Sequence, residues 1–298
     1  METQRVSAAQ LWLSFQYGVA ARVTEEQLQA AFTECPAVPS GHQLELVLRF
    51  AGLYESKGLI VDGETPALWQ CCPNRDSCWG KAMDARPQLG DGDGGIPLPW
   101  VGPNYREGGV VLIAINLRDA STLPIEYWIA ADQQYAFEEG QYQAHRSMFA
   151  YKSTRSAAVL LDLVAGVPIR DRTEPVDLVK PLRRIVRLQA VKCSPRDGGT
   201  SARTVEMRDN CPPLLLGAEL EIAKPSAVLT VGAEAREGVQ SLAGYTLVSS
   251  KPHLSRGDLR GNSWSADVFS LPHPGARWSG WEKGHLAMVA ELQAPAAG

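Results

Sequence analysis

The chain has 298 residues, 45% of them apolar, and a formal net charge of −4. That length fits one large domain, or one domain with an appendage, and the apolar content is enough for a sizeable core. No run of about 18 apolar residues is present, so no membrane span is expected. There is no basic, then apolar, then small-residue pattern at the N-terminus, so the chain reads as cytoplasmic. The acidic balance counts against a nucleic-acid binder without excluding one, because a local basic surface can sit on an acidic chain.

Residues 1 to about 65 read as a helical extension. Apolar positions recur at helical spacing over 8–23, Thr24 is placed to cap a following helix, and 42–54 resumes the pattern with Leu44, Leu46, Val47, Phe50 and Leu53. This element either caps a ligand site or packs against a sheet, and packing is the plainer reading. Cys71, Cys72 and Cys78 come next, with Cys193 and Cys211 further on. In an intracellular chain of this size such clustering points to metal more than to disulfides, with buried free thiols as the plain alternative. Gly90 to Gly95 alternates Gly and Asp and reads as a connector.

Four apolar runs read as buried strands, near 110–115, 185–191, 227–231 and 267–271. The first ends at Asn116, and ligands in open α/β sheets bind beyond the carboxyl ends of strands. An aromatic-rich insertion spans 125–151 and includes Tyr127 and Phe149; most of these rings read as ordinary packing. Residues 153–164 read as an amphipathic helix. Helical periodicity over 212–224 stops at Pro225, and Gly232 permits a tight exit into a helix over 236–242. A short strand is expected over 245–249 and a polar loop, holding Arg256, over 251–263. Arg170 to Arg172, Arg183 to Arg187 and the Arg256–Arg260 stretch are rich in arginine, and each taken singly reads as solvated surface.

The pattern V-K-C-x-P, then E-x-x-x-x-C, then L-x-x-E-L-x-x-x-K-P-x-x-V-L-x-x-G-A-x-A runs from Val191 to Ala235. It resembles the iron–sulfur uracil-DNA glycosylases. Phe269-Ser-Leu-Pro-His273-Pro-Gly-Ala resembles the late His-Pro-Ser motif of that superfamily, and Val110 to Leu117 resembles its first motif. Three blocks in the right order over roughly 170 residues are specific as a set, although each alone is weak.

The resemblance implies a three-layer α/β/α sandwich around a short, mostly parallel sheet, over about residues 66–298. It implies a monofunctional DNA glycosylase, acting as a monomer on DNA. It implies a [4Fe–4S] cluster on Cys72, Cys78, Cys193 and Cys211, with Cys71 open as the alternative to Cys72; a four-cysteine zinc site would use the same thiolates. Asn116 aligns with the water-positioning residue, with Asp119 a carboxylate that could assist. His273 would stabilise charge on the departing base. Gln189 stands where the family has an Asn that reads the base edge. Tyr127 or Phe149 would stack on the base, and Arg277, Trp278 and Arg256 would contact DNA.

The chain departs from the uracil pattern at Ala114, Leu117, Gln189 and Gly275. With the enlarged insertion, these departures favour a bulky modified pyrimidine. The superfamily includes phage-defence members that remove glucosylated hydroxymethylcytosine, and the chain looks compatible with that role. Ordinary uracil repair, and a non-catalytic DNA-binding or damage-sensing protein, are the alternatives.

Overall fold

A computed structural model describes residues 41–58, 73, 74, 77, 99–102, 104–114, 149–192, 205–274 and 280–294. Asn116, Asp119, Tyr127, Cys71, Cys72, Cys78, Cys193, Arg277 and Trp278 lie outside these residues, as do the expected helices before residue 40 and the Gly90–Gly95 connector.

The architecture is α/β. Seven strands form one sheet: β1 (Trp100–Val101), β2 (Val110–Ala114), β3 (Ile185–Gln189), β4 (Ala227–Val231), β5 (Tyr245–Lys251), β6 (Leu254–Arg260) and β7 (Ser265–Leu271), in the order β1-β3-β2-β4-β7-β6-β5. The central four, β3, β2, β4 and β7, are mutually parallel, while β1 and the β5–β6 ribbon add antiparallel flanks. The central strands β2, β3 and β4 are buried along their whole length. Strands covered on both faces must be apolar in every position rather than in alternate ones, which is why these runs stand out in the sequence.

Helices cover both faces. Alternate strand residues such as Val111, Ile113, Val186, Leu188, Val228 and Val268 pack with α1 (Gly41–Ser56), α4 (Val205–Cys211), α5 (Gly217–Ala223) and α6 (Ala233–Gln240). The intervening residues Val110, Leu112, Ala114, Leu229, Phe269 and Leu271 pack with α2 (Phe149–Val164) and α7 (Gly280–Gln293). A short helix, α3 (Val179–Leu182), precedes β3. Packing against the sheet domain is what α1 does: Leu46, Val47, Phe50, Ala51 and Tyr54 are buried in the first of these clusters. Burying an apolar side chain of the size of Leu46 or Phe50 contributes about 1.5–3 kcal/mol, so α1 is held firmly to the sheet domain. Among the described residues no helix is long and apolar enough to cross a membrane.

Two stretches differ from the sequence reading. Residues 254–260 form β6 and not a polar loop. Its polar residues Ser255, Arg256 and Asp258 pair in register with β7, and a two-residue turn, with His253 at φ 67°, joins it to β5. Residues 205–211 form α4, a helix ahead of the helical run expected from residue 212. Pro212 and Pro213 signal a break, but the chain continues through a π-helical turn, Pro212–Leu216, into α5. A proline ring clashes with the carbonyl four residues back, and a widened turn relieves that clash. The helix ends with Lys224 in the left-handed region (φ 47°), its N–H bonded to the Leu220 carbonyl, just before Pro225.

Candidate functional site

Parallel strands all deliver their carboxyl ends to one edge of the sheet. Here that edge carries Ala114 and Gln189, which are register partners on β2 and β3, and the Pro272–Pro274 segment that follows β7. Gln189 is only 4% exposed, and its side-chain oxygen Oε1 is buried without a hydrogen-bond partner. An orphaned buried carbonyl is costly, roughly 1–3 kcal/mol, so a donor from a bound water or a ligand is expected beside it.

Side chains two residues apart on a strand share a face. Gln189 therefore lies on the same face as Arg187, whose guanidinium sits over the Phe149 ring at 5.5 Å from its centroid. Phe149 opens α2 and in turn packs against the His273 ring, with centroids 5.2 Å apart and planes tilted by 35°. Phe149 and His273, two of the sequence-designated residues, thus meet near the carboxyl edge with Arg187, and Gln189 lies on the same face of β3 as Arg187. Lys152, one turn along α2, donates to the Pro274 carbonyl at 3.0 Å and so anchors the segment carrying His273. Neither Arg187 nor Lys152 was signalled by any motif; both follow only from the tertiary placement of α2.

The fourth described site residue behaves differently. Arg256 lies on β6, donates to Asp267 at 2.9 Å, approaches Glu291 at 3.7 Å and covers the Phe269 ring. Hydrogen bonding to Asp267 is the main cause that raises its pKa. Its charge is engaged within the fold, so no DNA contact is assigned to it below.

On the opposite face lies Cys211, and the residues that precede two other cysteines in the sequence, Ser77 and Lys192, have described partners. Cys211 is buried at the junction of α4 and the π-turn. Its neighbour Asn210 donates to Ser77 Oγ at 3.2 Å, so the residue before Cys211 lies against the residue before Cys78. Lys192, the residue before Cys193, is 1% exposed and bonds both oxygens of the fully buried Glu219 at 2.8 Å. The Tyr54 hydroxyl donates to the same carboxylate at 2.5 Å. Burial above all, then Glu219 and more weakly Cys211, push the Tyr54 hydroxyl pKa well up, so Tyr54 stays a protonated donor. The Lys of V-K-C and the Glu of L-x-x-E-L are therefore the two halves of one buried ion pair. Among the described residues no group of three or more metal-ligating side chains is present, and Cys211 is the one designated thiol within them.

A further cluster, invisible in the sequence, joins α2 to α7. Ser156 Oγ lies 3.0 Å from His285 Nδ1, and His285 Nε2 lies 3.0 Å from Asp171 Oδ1. Burial lowers the His285 pKa in spite of the Asp171 hydrogen bond. Burial works to raise Asp171, but hydrogen bonds and charge from Arg155 and His285 outweigh it and hold the carboxyl at about 2. The order Ser–His–Asp is that of a nucleophilic relay. Ser156 and His285 are 0% exposed, however, so no substrate reaches them, and Asp171 is committed to Arg155 at 2.6 Å. The cluster pins α7 to α2.

No protein-family model matches the chain, and no curated protein matches it.

Proposed function

We propose that the chain is a monofunctional DNA glycosylase that flips a modified pyrimidine out of DNA and hydrolyses its N-glycosidic bond. The observation that carries this reading is the orphaned Oε1 of Gln189 at the carboxyl edge of the parallel strands, on the face of β3 whose Arg187 covers the Phe149 ring that packs on His273. A flipped base needs a flat partner, an edge reader and a group to stabilise it as it leaves. Phe149 supplies the ring, Gln189 the carboxamide, and His273 a ring N–H for the carbonyl oxygen on which negative charge develops. Asn116, on the segment that follows β2, is the residue to orient the attacking water, with Asp119 as the carboxylate that takes its proton. The water oxygen bonds to C1′ while the C1′–N1 bond breaks, and the base departs with that electron pair.

The resemblance to the iron–sulfur uracil-DNA glycosylases supports the same reading from the sequence. So does the hydrogen bond between Asn210 and Ser77, the residues that precede Cys211 and Cys78. A [4Fe–4S] cluster would be held by Cys211, Cys193, Cys78 and either Cys71 or Cys72, and zinc would fit the same thiolates. Such a group would supply a cross-link between stretches distant in the chain. Gln189, one methylene longer than the family's Asn, together with Ala114 and Leu117, favours a bulky base such as glucosylated hydroxymethylcytosine over uracil, and a role in defence against phage over repair. The test is base release by His273→Ala and Asn116→Ala, read as alkali-labile sites in a duplex. Each variant is expected to lose roughly 100- to 1000-fold in rate, as for loss of one charge-stabilising group; undiminished rates in both would remove the assignment.

A further inference from the structure

At the other end of the sheet, where the parallel strands begin, a cavity of about 660 Å³ opens between α2, the 170–177 segment and α3. Asp162, on its wall, is 13 residues along α2 from Phe149, about 20 Å at the helical rise. The cavity is therefore separate from the Gln189–Phe149–His273 site. Its walls gather two of the arginine-rich stretches that the proposed glycosylase chemistry leaves unused, around Arg170–Arg172 and Arg184.

Four cations, Arg170, Arg172, Lys180 and Arg184, and three carboxylates, Asp162, Asp171 and Asp177, line it. The carboxylates do not balance the cations one for one. Asp162 takes both terminal nitrogens of Arg172, at 2.7 and 2.9 Å, and the backbone N–H of Arg170. Asp171 takes Arg155 and His285 from behind the wall. Arg155 reaches Glu282 as well as Asp171, so its charge is met outside the cavity, and the lining itself holds four cations against three carboxylates, a surplus of one. The side chains of Lys180, Arg184 and Asp177 have no hydrogen-bond or ion-pair partner among the described residues, so two cations and one carboxylate are left for a ligand.

We infer that this cavity binds a phosphate dianion, held between Lys180 and Arg184 with Arg170 at its rim. Guanidinium and ammonium groups are the usual phosphate partners, and the volume accommodates a group of nucleotide size. The phosphate could belong to a free small molecule or to a nucleic-acid strand, and the experiment separates the two.

Calorimetric titration compares the full-length protein with Lys180→Ala/Arg184→Ala, using adenosine 5′-monophosphate, inorganic pyrophosphate and an unmodified 20-base-pair duplex. Binding is expected to weaken at least tenfold in the variant, while Lys180→Arg/Arg184→Lys retains it. The two side chains support no other group, so the thermal unfolding midpoint should not move; if it does, the single variants Lys180→Gln and Arg184→Gln replace the double one. Loss confined to the mononucleotide and pyrophosphate assigns a free phosphorylated ligand, and loss confined to the duplex assigns a nucleic-acid phosphate. Equal binding by wild type and variant for all three probes, or no binding by the wild type, overturns the inference.

Discussion

Lys192→Met removes the ammonium from a carboxylate that has no other counter-charge. Glu219 then keeps one hydrogen bond, from Tyr54, where it had three. The pair is 1% and 0% exposed, so water does not replace the lost partner. Removing one half of a buried ion pair costs about 3–5 kcal/mol. That is a large share of a typical domain stability of roughly 5–15 kcal/mol. The assay is urea unfolding followed by tryptophan fluorescence, with the midpoint expected to fall and the slope to stay constant. The companion variant Lys192→Met/Glu219→Leu/Tyr54→Phe removes all three polar groups together, and should recover most of the loss, because apolar replacement of a whole buried pair is often neutral. A loss below about 1 kcal/mol in the single variant, or no recovery in the triple one, would refute the buried-charge argument.

Gln189→Ala should abolish detectable base release while leaving the unfolding midpoint equal or slightly higher, since it removes an unsatisfied buried oxygen; a drop in stability would show that Gln189 is a structural residue. Asp171 has a folded pKa of about 2, below its ordinary value of 3.8, so its stabilisation is present above about pH 4 and lost as the pH falls towards 2. His285 has a lowered folded pKa, so stability also declines as the pH drops below about 6.5, where the unfolded chain takes up the proton first. Asp171→Asn should flatten the acid-most part of a midpoint-versus-pH curve, and an unchanged curve would count against the cluster. Cys211→Ser should lower bound metal in anaerobically purified protein whereas Cys35→Ser should not; equal metal content in both would dismiss the cysteine site.

The central strands were legible because β2, β3 and β4 are buried on both faces and must be apolar throughout, which leaves continuous runs in the sequence. β6 was not, because Ser255, Arg256 and Asp258 interrupt the apolar pattern, and Arg256 finds its partners Asp267 and Glu291 only on β7 and α7. α4 was hidden by the two prolines that a π-turn absorbs. At the site, residue type and family-like spacing pointed to Gln189, Phe149 and His273, but neither the burial of Gln189 nor the ring contact is written in any local pattern. Lys192–Glu219, Tyr54–Glu219 and Ser156–His285 join residues separated by 27, 165 and 129 positions. Nothing in a single sequence signals such pairs until the sheet order is known.

The most direct test of the account is mass-spectrometric detection of the free base. Matched duplexes, differing only at one position, would carry uracil, cytosine or glucosylated hydroxymethylcytosine and be incubated with protein purified without oxygen. The account predicts release of the bulky modified base, little or no release of uracil, and none of cytosine. Efficient uracil release with the modified duplex untouched would contradict the substrate assignment, and no free base from any duplex would contradict the glycosylase reading itself.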